Sequence, residues 1–515
     1  MEIKESYDKS FFAKEMFYRD IESLDVTTTT SHTPLIRILI LGGGFAGVQV
    51  LKKLQAEYRN DADIEITLVS KDNYFLFTPM LPDVVSGTIE PIHIATPIRA
   101  LCNKRTKFYE AGIVSIELQN KQVVIIHSVN DNNKIVQTNW QQIQGSNICY
   151  HILKYDYLVL AVGNETNFFG NPNIANNAFT IKTLHDAIIL RDHIINMLEQ
   201  ADLEYQNEER LKRLMTFVVV GGGFAGVETI GEINSFIHNS ISNFYHNVKT
   251  KYVRVILVDA HKSILPEVTE DLSEFALRQL RKKGVEVMLN RRVIDVDADM
   301  NSVKLDNGSI ISSNTLIWAG GVRPCKIITD LTFCEHDKTG RIIVNDYLEV
   351  IGHTGVFAVG DCAFILDHNT GKACPPTAQH AIRQGKVVAK NIISEIKRMR
   401  KCKNGKEDNN SKTKFNYRTK GVMAKIGDRS GVGILLGYKV HGFSAWLLWH
   451  IYYLANLPSL EKKYRVAIDW ITDILFKKND ITRLKTYAEI KTGSHIVDEI
   501  QLSHNQRRSK NLHTI

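Results

Sequence analysis

The seven residues GGGFAGV occur twice in this chain, at 42–48 and again at 221–227. Each copy follows a short apolar run, IRILIL at 36–41 and FVVV at 217–220. Each is followed by a stretch of helical texture and a second apolar run, IEITLV at 64–69 and YVRVILV at 252–258. Strand, Gly-rich turn, helix and strand make the βαβ unit that cradles a dinucleotide. One GxGxxG is weak evidence, but two identical copies in the right context argue strongly against a turn with no ligand. The chain carries a duplicated supersecondary unit rather than a short-period repeat.

The chemistry of the turn explains its residues. Gly42 permits the tight bend, Gly44 lets the backbone approach a pyrophosphate, and Gly47 lets helix and strand pack closely; Phe45 and Ala46 open the helix. Gly221, Gly223, Phe224, Ala225 and Gly226 repeat the set. The unpaired N–H groups and the dipole of each helix N-terminus then face phosphate oxygens. An acid after the second strand normally bonds the adenosine ribose. In the second copy this is Asp259, which would repel a 2′-phosphate and so favours NADH over NADPH. It stands farther along than usual, which predicts a helix lengthened around 236–250. The first copy has Ser70 there, a weaker partner for a ribose hydroxyl, followed by Lys71, which reads better as a surface residue than as a phosphate contact.

Later segments repeat another design, an apolar strand ending in Gly: YLVLAVG at 157–163, TLIWAG at 315–320 and GVFAVGD at 355–361. Ligands of open α/β sheets bind at that edge. Asp361 is therefore placed to accept hydrogen bonds from a sugar-alcohol chain, or to cap the next helix, and both roles are compatible. From Pro375, PPTAQHAIRQG reads as a helix opened by prolines, with Thr377, Ala378 and Gln379 at its start, suited to a flat ring or equally to solvent.

With 515 residues, two or three domains are expected. A net charge of +8 without a long Lys/Arg run excludes a nucleic-acid groove and is compatible with an anionic membrane surface. Seven cysteines without a CxxC pair indicate neither a disulfide framework nor a zinc or other metal site. The acidic N-terminus lacks the apolar stretch of a secretory signal. The longest apolar segment, 443–457, is 15 residues and includes His450, short of a spanning helix of ~20 residues. It carries Trp446, Trp449, Tyr452 and Tyr453. A second helix after Pro458 carries Tyr464, Ile468, Ile471, Ile474 and Leu475 beside basic residues, as suits an interfacial helix. Core packing or a dimer contact is the alternative.

Taken together, GGGFAG, NYFLFTPMLPDVVSG, YDYLVLAVGNETNFFG, GGGFAGVETIGEI, IWAGGVRP, VFAVGDCA, PPTAQHAIRQG and WLLWHIYYLANLP resemble the type II NADH dehydrogenases over residues 35–485. The resemblance implies FAD on the first unit, through Gly42, Gly44, Gly47, Gly163, Asp361 and the stretch around Thr78. It implies NADH on the second, through Gly221, Gly223, Gly226, Asp259 and Gly320. It places Glu228 on the nicotinamide and quinone side of the flavin, where the bland reading is an acid stabilising its own helix by ~0.3–1 kcal/mol. The family's AQxAxQ segment is matched at Ala378, Gln379 and Ala381. Arg383 replaces the second Gln, with Gln384 following, and either binds a quinone oxygen or points to solvent.

The expected architecture is α/β, with two Rossmann-like dinucleotide-binding domains and a C-terminal helical membrane-surface anchor. Residues 1–34 form an extension, 35–182 and 322–400 the FAD domain, 183–321 the NADH domain, 415–485 the membrane-association region and 486–515 a tail. The expected activity is a non-proton-pumping NADH:quinone oxidoreductase, peripheral on the cytoplasmic face of a membrane, with a homodimer among the options. Two other readings are a sulfide:quinone oxidoreductase, which needs a cysteine pair beside the flavin, and a flavin-bearing redox-sensing interaction protein.

Overall fold

The computed structural model describes residues 35–128, 148–297, 301–403, 411–476 and 481–483. The expected extension at 1–34 and tail at 486–515 lie outside these, as does most of the Asn- and Gln-rich stretch 128–149. Two parallel five-stranded sheets dominate. The first runs Val356–Ala358, Tyr157–Leu160, Ile36–Leu41, Ile64–Ser70, Lys107–Glu110. The second runs Phe179–Thr180, Thr315–Trp318, Thr216–Val220, Arg254–Val258, Val285–Met288. In both, the strand before the Gly-rich turn is central, flanked by its βαβ partner and by a strand arriving much later. That order puts the turn at the C-terminal edge, where ligands of such sheets bind. Strands buried on both faces must be apolar throughout, and Leu39, Ile40, Leu41, Val218 and Val219 are almost wholly buried.

The helix after the first turn is Phe45–Glu57 and after the second Phe224–Asn243, the latter 20 residues long. That length accounts for the wide spacing to Asp259. The long helix Ala378–Lys403 lies against Phe45–Glu57 so closely that a Cβ on Gly385 would come within 2.6 Å of the Ala46 carbonyl oxygen. It starts after the prolines rather than at them. The polar stretch 401–414 reads in the sequence as a solvated linker, but the helix reaches Lys403 and residues 412–414 are tied down: Lys412 pairs with Glu349 and Glu395, and Lys414 with Asp346.

The C-terminal region is an antiparallel sheet, Gly421–Lys425, Gly431–Leu435 and Tyr438–Gly442, followed by helices Phe443–Asn456 and Leu460–Phe476. The expectation for the aromatic helix needs correcting on one face. Trp449 is fully buried and joins, with Trp470 and Val466, the same hydrophobic cluster as Met80, Phe217 and Ile230. The opposite face leaves Leu447, Ile451 and Tyr452 exposed, and the terminal helix exposes Tyr464, Ile468, Ile471, Ile474 and Leu475. That helix is pinned to the segment after the first βαβ unit by Asp469, which bonds His93 at 2.5 Å, and by Lys462, which donates to the Ile92 carbonyl at 2.7 Å. Among the described residues no helix is long and apolar enough to cross a membrane.

Candidate active site

The two cradles are built alike. Gly42 and Gly221 sit at φ of +110° and +108°, and a Cβ on Gly47 or Gly226 would lie 1.9 or 1.8 Å from the carbonyl oxygen of Gly42 or Gly221. Only glycine allows that backbone and that approach. By contrast a Cβ on Gly44 or Gly223 meets nothing within 4 Å. Both cap their helices with no side-chain bond, so the first N–H groups are left for an anion. Open space and unspent donors at both turns are what a pyrophosphate requires, and the residues present fit FAD and a nicotinamide dinucleotide.

Ser70 and Asp259 occupy equivalent places. A Cβ on Gly43 would lie 2.8 Å from Ser70 Oγ, and one on Gly222 3.1 Å from Asp259 Oδ2. Asp259 is fixed: its Oδ2 accepts the Gly222 N–H at 2.5 Å, and its Oδ1 accepts the His261 N–H at 2.7 Å with the imidazole Nδ1 at 2.9 Å. Phe45 packs edge-on against Phe75 and Phe77, with centroids 5.0 and 5.7 Å apart; Ala46 is buried, Phe224 half-buried and Ala225 exposed. Lys71 is exposed, as is Thr78 at the start of a 3-10 turn. Gly163 bends at φ +74° with open space beside it, and Gly320 lies against the Trp318 ring.

Asp361 follows its strand in a short 3-10 turn, Gly360–Cys362, rather than capping a long helix. Asn164 Nδ2 donates to its Oδ2 at 2.7 Å, and Lys182 Nζ donates in turn to Asn164 Oδ1. Burial raises the Asp361 pKa and the nearby Lys182 charge opposes the rise. Lys182 was not recognisable from sequence, because what makes it matter is its contact with Asn164, 18 residues earlier.

The long helix brings Ala378, Gln379 and Arg383 to one place. Gln379 has both ends of its amide engaged: Nε2 donates to the Gly421 carbonyl at 2.9 Å and Oε1 accepts from the Tyr417 hydroxyl at 3.0 Å. The Arg383 guanidinium lies 5.4 Å over the Tyr417 ring and is half-buried, so it does not extend freely into solvent. Gln384 turns the other way, and its Oε1 accepts the Gly360 N–H at 2.8 Å.

Glu228 is the fifth residue of its helix, just past the first turn, and is buried. Its Oε1 accepts two bonds from the C-terminal region, the Lys425 amide at 3.0 Å and the Trp449 indole N–H at 2.8 Å. Burial raises its pKa to about 8; the Lys425 amide and charge and the Trp449 bond work against the rise. The net effect favours the protonated carboxyl. The Lys425 ammonium, also buried, stands 4.8 Å over the Trp449 ring and pairs with Asp83 at 2.5 Å and Glu232 at 3.1 Å. Burial lifts Glu232 to about 7. Lys425, Trp449, Asp83, Glu232 and Tyr417 all escaped the sequence reading. Lys425 and Tyr417 sit in segments without a motif, while Trp449 was visible but was taken for an interface residue.

The cysteines lend no support to thiol chemistry. Cys102, Cys325, Cys334, Cys362, Cys374 and Cys402 are free. Burial raises the Cys362 thiol to about 12 and those of Cys334 and Cys374 to about 11, so these three are not ready thiolates.

Twin dinucleotide cradles joined to a buried Glu, Lys and Trp cluster define a flavin-dependent pyridine-nucleotide oxidoreductase. The family model described as pyridine nucleotide-disulphide oxidoreductase matches residues 36–385, and that of the NDH2 C-terminal domain matches 419–479. A probable NADH dehydrogenase of Dictyostelium discoideum is 32% identical over 86% of this chain and 90% of its own length. A type II NADH:quinone oxidoreductase of Mycobacterium tuberculosis is 31% identical over 88% of this chain and 92% of its own. The structure of NDH2 from Plasmodium falciparum in complex with NADH shares the fold, with a TM-score of 0.74 at 22% identity over 87% of this chain and 99% of that one. The chain belongs to the type II NADH dehydrogenases, the single-chain flavoprotein NADH:quinone oxidoreductases.

Proposed function

We propose that this chain takes hydride from NADH at the second cradle and returns two electrons to a membrane quinone beside Gln379 and Glu228. The observation that carries the reading is that one strand serves both residues: Gly421 at its start accepts from Gln379, and Lys425 at its end donates to Glu228. Five residues of strand span ~13 Å, so the C-terminal sheet holds the two side chains at a fixed separation.

The two-electron chemistry belongs to FAD when bound, and the protein supplies alignment. Gly42, Gly44 and Gly47 would hold its pyrophosphate, and Asp361 its sugar-alcohol chain. Gly221, Gly223, Gly226 and Asp259 would hold NADH, with Asp259 rejecting a 2′-phosphate. Glu228 keeps a proton available at its carboxyl in a dry site, where a pKa near the working pH suits an acid–base group. Gln379 is a positioning candidate for a quinone oxygen, and Arg383 places a cation nearby.

The exposed faces of the last two helices are the surface offered to lipid, which would make the protein peripheral on the cytoplasmic face; a self-associated pair through the same faces is the second use. No chain of intramembrane acids supports proton pumping. The test is anaerobic. The purified protein should show a flavin spectrum that NADH bleaches faster than NADPH, and a short-chain quinone should restore it. Bleaching by sulfide but not by NADH would overturn the assignment in favour of sulfide oxidation.

A further inference from the structure

Behind the Glu228 and Lys425 pair lies a second cleft of about 330 Å³, distinct from both cradles. Its floor is Asp83, Glu232 and Lys425, all buried; its mouth carries Asp428, Arg429 and Asp473. Four carboxylates face it against two bases, so negative charge is in excess. One wall is aromatic. The rings of Trp446 and His450 lie 4.0 Å apart and those of His450 and Trp470 4.4 Å apart. His450 is held neutral, its pKa lowered to about 4 by burial and the Lys425 charge, so the wall repels no cation.

Two residues that line this cleft each carry a buried polar atom with no hydrogen-bond partner. Asp83 is 0% exposed and bonds Lys425 through one oxygen only, leaving Oδ2 without a donor. Trp470 is 7% exposed, and its Nε1–H has no acceptor. Each orphan costs ~1–3 kcal/mol unless something fills it. One ligand chemistry answers both. An ammonium supplies the donor that Asp83 lacks, lies well against tryptophan faces and balances the spare carboxylates. An oxygen on the same small molecule accepts from Trp470. Burial also raises Asp473 to about 6, with Asp428 adding to the rise, which a bound cation would reverse.

We propose that this cleft binds a small amino alcohol, an ammonium joined by a short carbon link to an oxygen, either as a free solute or as the headgroup of a phospholipid. The headgroup source is reachable because Ile474 lines the cleft and also belongs to the exposed stripe of Ile471 and Leu475 on the terminal helix. Acyl chains following that stripe would leave the headgroup at the mouth. The cleft is separate from the Gly-rich turns, but its floor residue Lys425 also donates its amide to Glu228, so its occupancy is read by binding and flotation rather than by quinone turnover.

The experiment is calorimetric titration of the full-length flavin-loaded protein with ethanolamine, propylamine and ethylene glycol. Ethanolamine should bind, propylamine at least ten-fold more weakly because it offers Trp470 no acceptor, and ethylene glycol not at all. Asp473→Asn and Trp470→Phe should each weaken ethanolamine at least five-fold, while Asp473→Asn leaves NADH oxidation by ferricyanide unchanged. Flotation separates the two sources. If the ligand is a headgroup, vesicles rich in phosphatidylethanolamine recover more wild-type protein than phosphatidylglycerol vesicles, and Asp473→Asn removes the difference. If it is a free solute, the vesicles do not discriminate while the titration still responds. Should a variant fail to fold, the indole 15N–H resonance of Trp470 in the wild type must shift on adding ethanolamine. No binding heat at ~10 mM ethanolamine, or equal binding of propylamine, would overturn the proposal.

Discussion

The indole N–H of Trp449 donates to the carboxyl of Glu228 at 2.8 Å across 221 residues of sequence. A side chain from a helix of the C-terminal region thereby reaches an acid on the helix of the second dinucleotide cradle, whose proton affinity burial raises and this bond partly lowers. Removing the donor removes one of the influences that hold the Glu228 pKa down. Trp449→Phe should move the alkaline limb of the quinone-reduction pH profile upward by about one unit, since a bond to a buried group is worth ~1–1.5 kcal/mol and one pKa unit is ~1.4 kcal/mol. An unmoved limb would show that Glu228 does not set it.

Stability should fall as pH rises across the physiological range. Glu228 and Glu232 have folded-state pKa values of about 8 and about 7, above the ordinary carboxyl value. Between pH ~4.5 and those values the folded protein binds more protons than the unfolded chain, so stability present at low pH is lost on raising pH through that window. Each group contributes at most ~1.4 kcal/mol per pH unit. Thermal melts at pH 5, 6, 7 and 8 should show a falling midpoint, and Glu228→Gln should flatten the slope. A slope identical in the variant would remove Glu228 as its source.

Lys425→Met should be severe. The ammonium lies between Asp83 and Glu232, and its loss leaves two buried carboxyls with no counter-charge. Breaking one side of a buried pair costs ~3–5 kcal/mol. Urea unfolding followed by flavin fluorescence should give a markedly lower midpoint. The triple variant Lys425→Met, Asp83→Asn, Glu232→Gln should recover part of the loss, because no uncompensated charge remains. Failure to recover would place the role of Lys425 in shape rather than charge.

Asp259→Ala should weaken NADH more than NADPH. Because Asp259 also receives the Gly222 and His261 amides, one on each oxygen, Asp259→Asn is the milder variant: it loses the charge and one of those two bonds but keeps one acceptor oxygen. Its NADH-to-NADPH preference, measured as the ratio of kcat/KM values, should drop at least ten-fold. Equal losses for both nucleotides would mean the residue only braces the turn.

Lipid binding is best tested by point changes. Ile471→Asp with Leu475→Asp places charge on residues that are 55% and 69% exposed. Recovery with floated vesicles should fall several-fold while NADH oxidation by ferricyanide persists. Full recovery would show that this stripe is not the contact.

The duplicated turn was legible because it is a local motif: the glycines, the apolar strands beside them and Asp259 all speak through neighbours in sequence. Glu228 was legible for the same reason, being next to the turn. Lys425 and Tyr417 were not, because what makes them matter is contact with Glu228 and Gln379, nearly 200 and about 40 residues away. Trp449 shows a different limit. An aromatic helix reads the same whether its rings face lipid or core, and here the two faces divide: Ile451 lies outward and Trp449 inward. The helix behind the two prolines was foreseen, but the place where it starts was not, nor that Gln384 would support Gly360.

Where the second cradle's helix crosses the C-terminal sheet, Gly231 approaches the Gly427 turn so closely that a Cβ would come within 2.5 Å of the Gly427 nitrogen. Neither partner can be exchanged for a bulkier residue without prising the two apart. The C-terminal sheet is therefore not a detachable tether. A chimaera that grafted it onto a soluble relative would have to import the paired glycines as well, and a protease nick between 415 and 440 should silence the enzyme even if both fragments stay on the same vesicle.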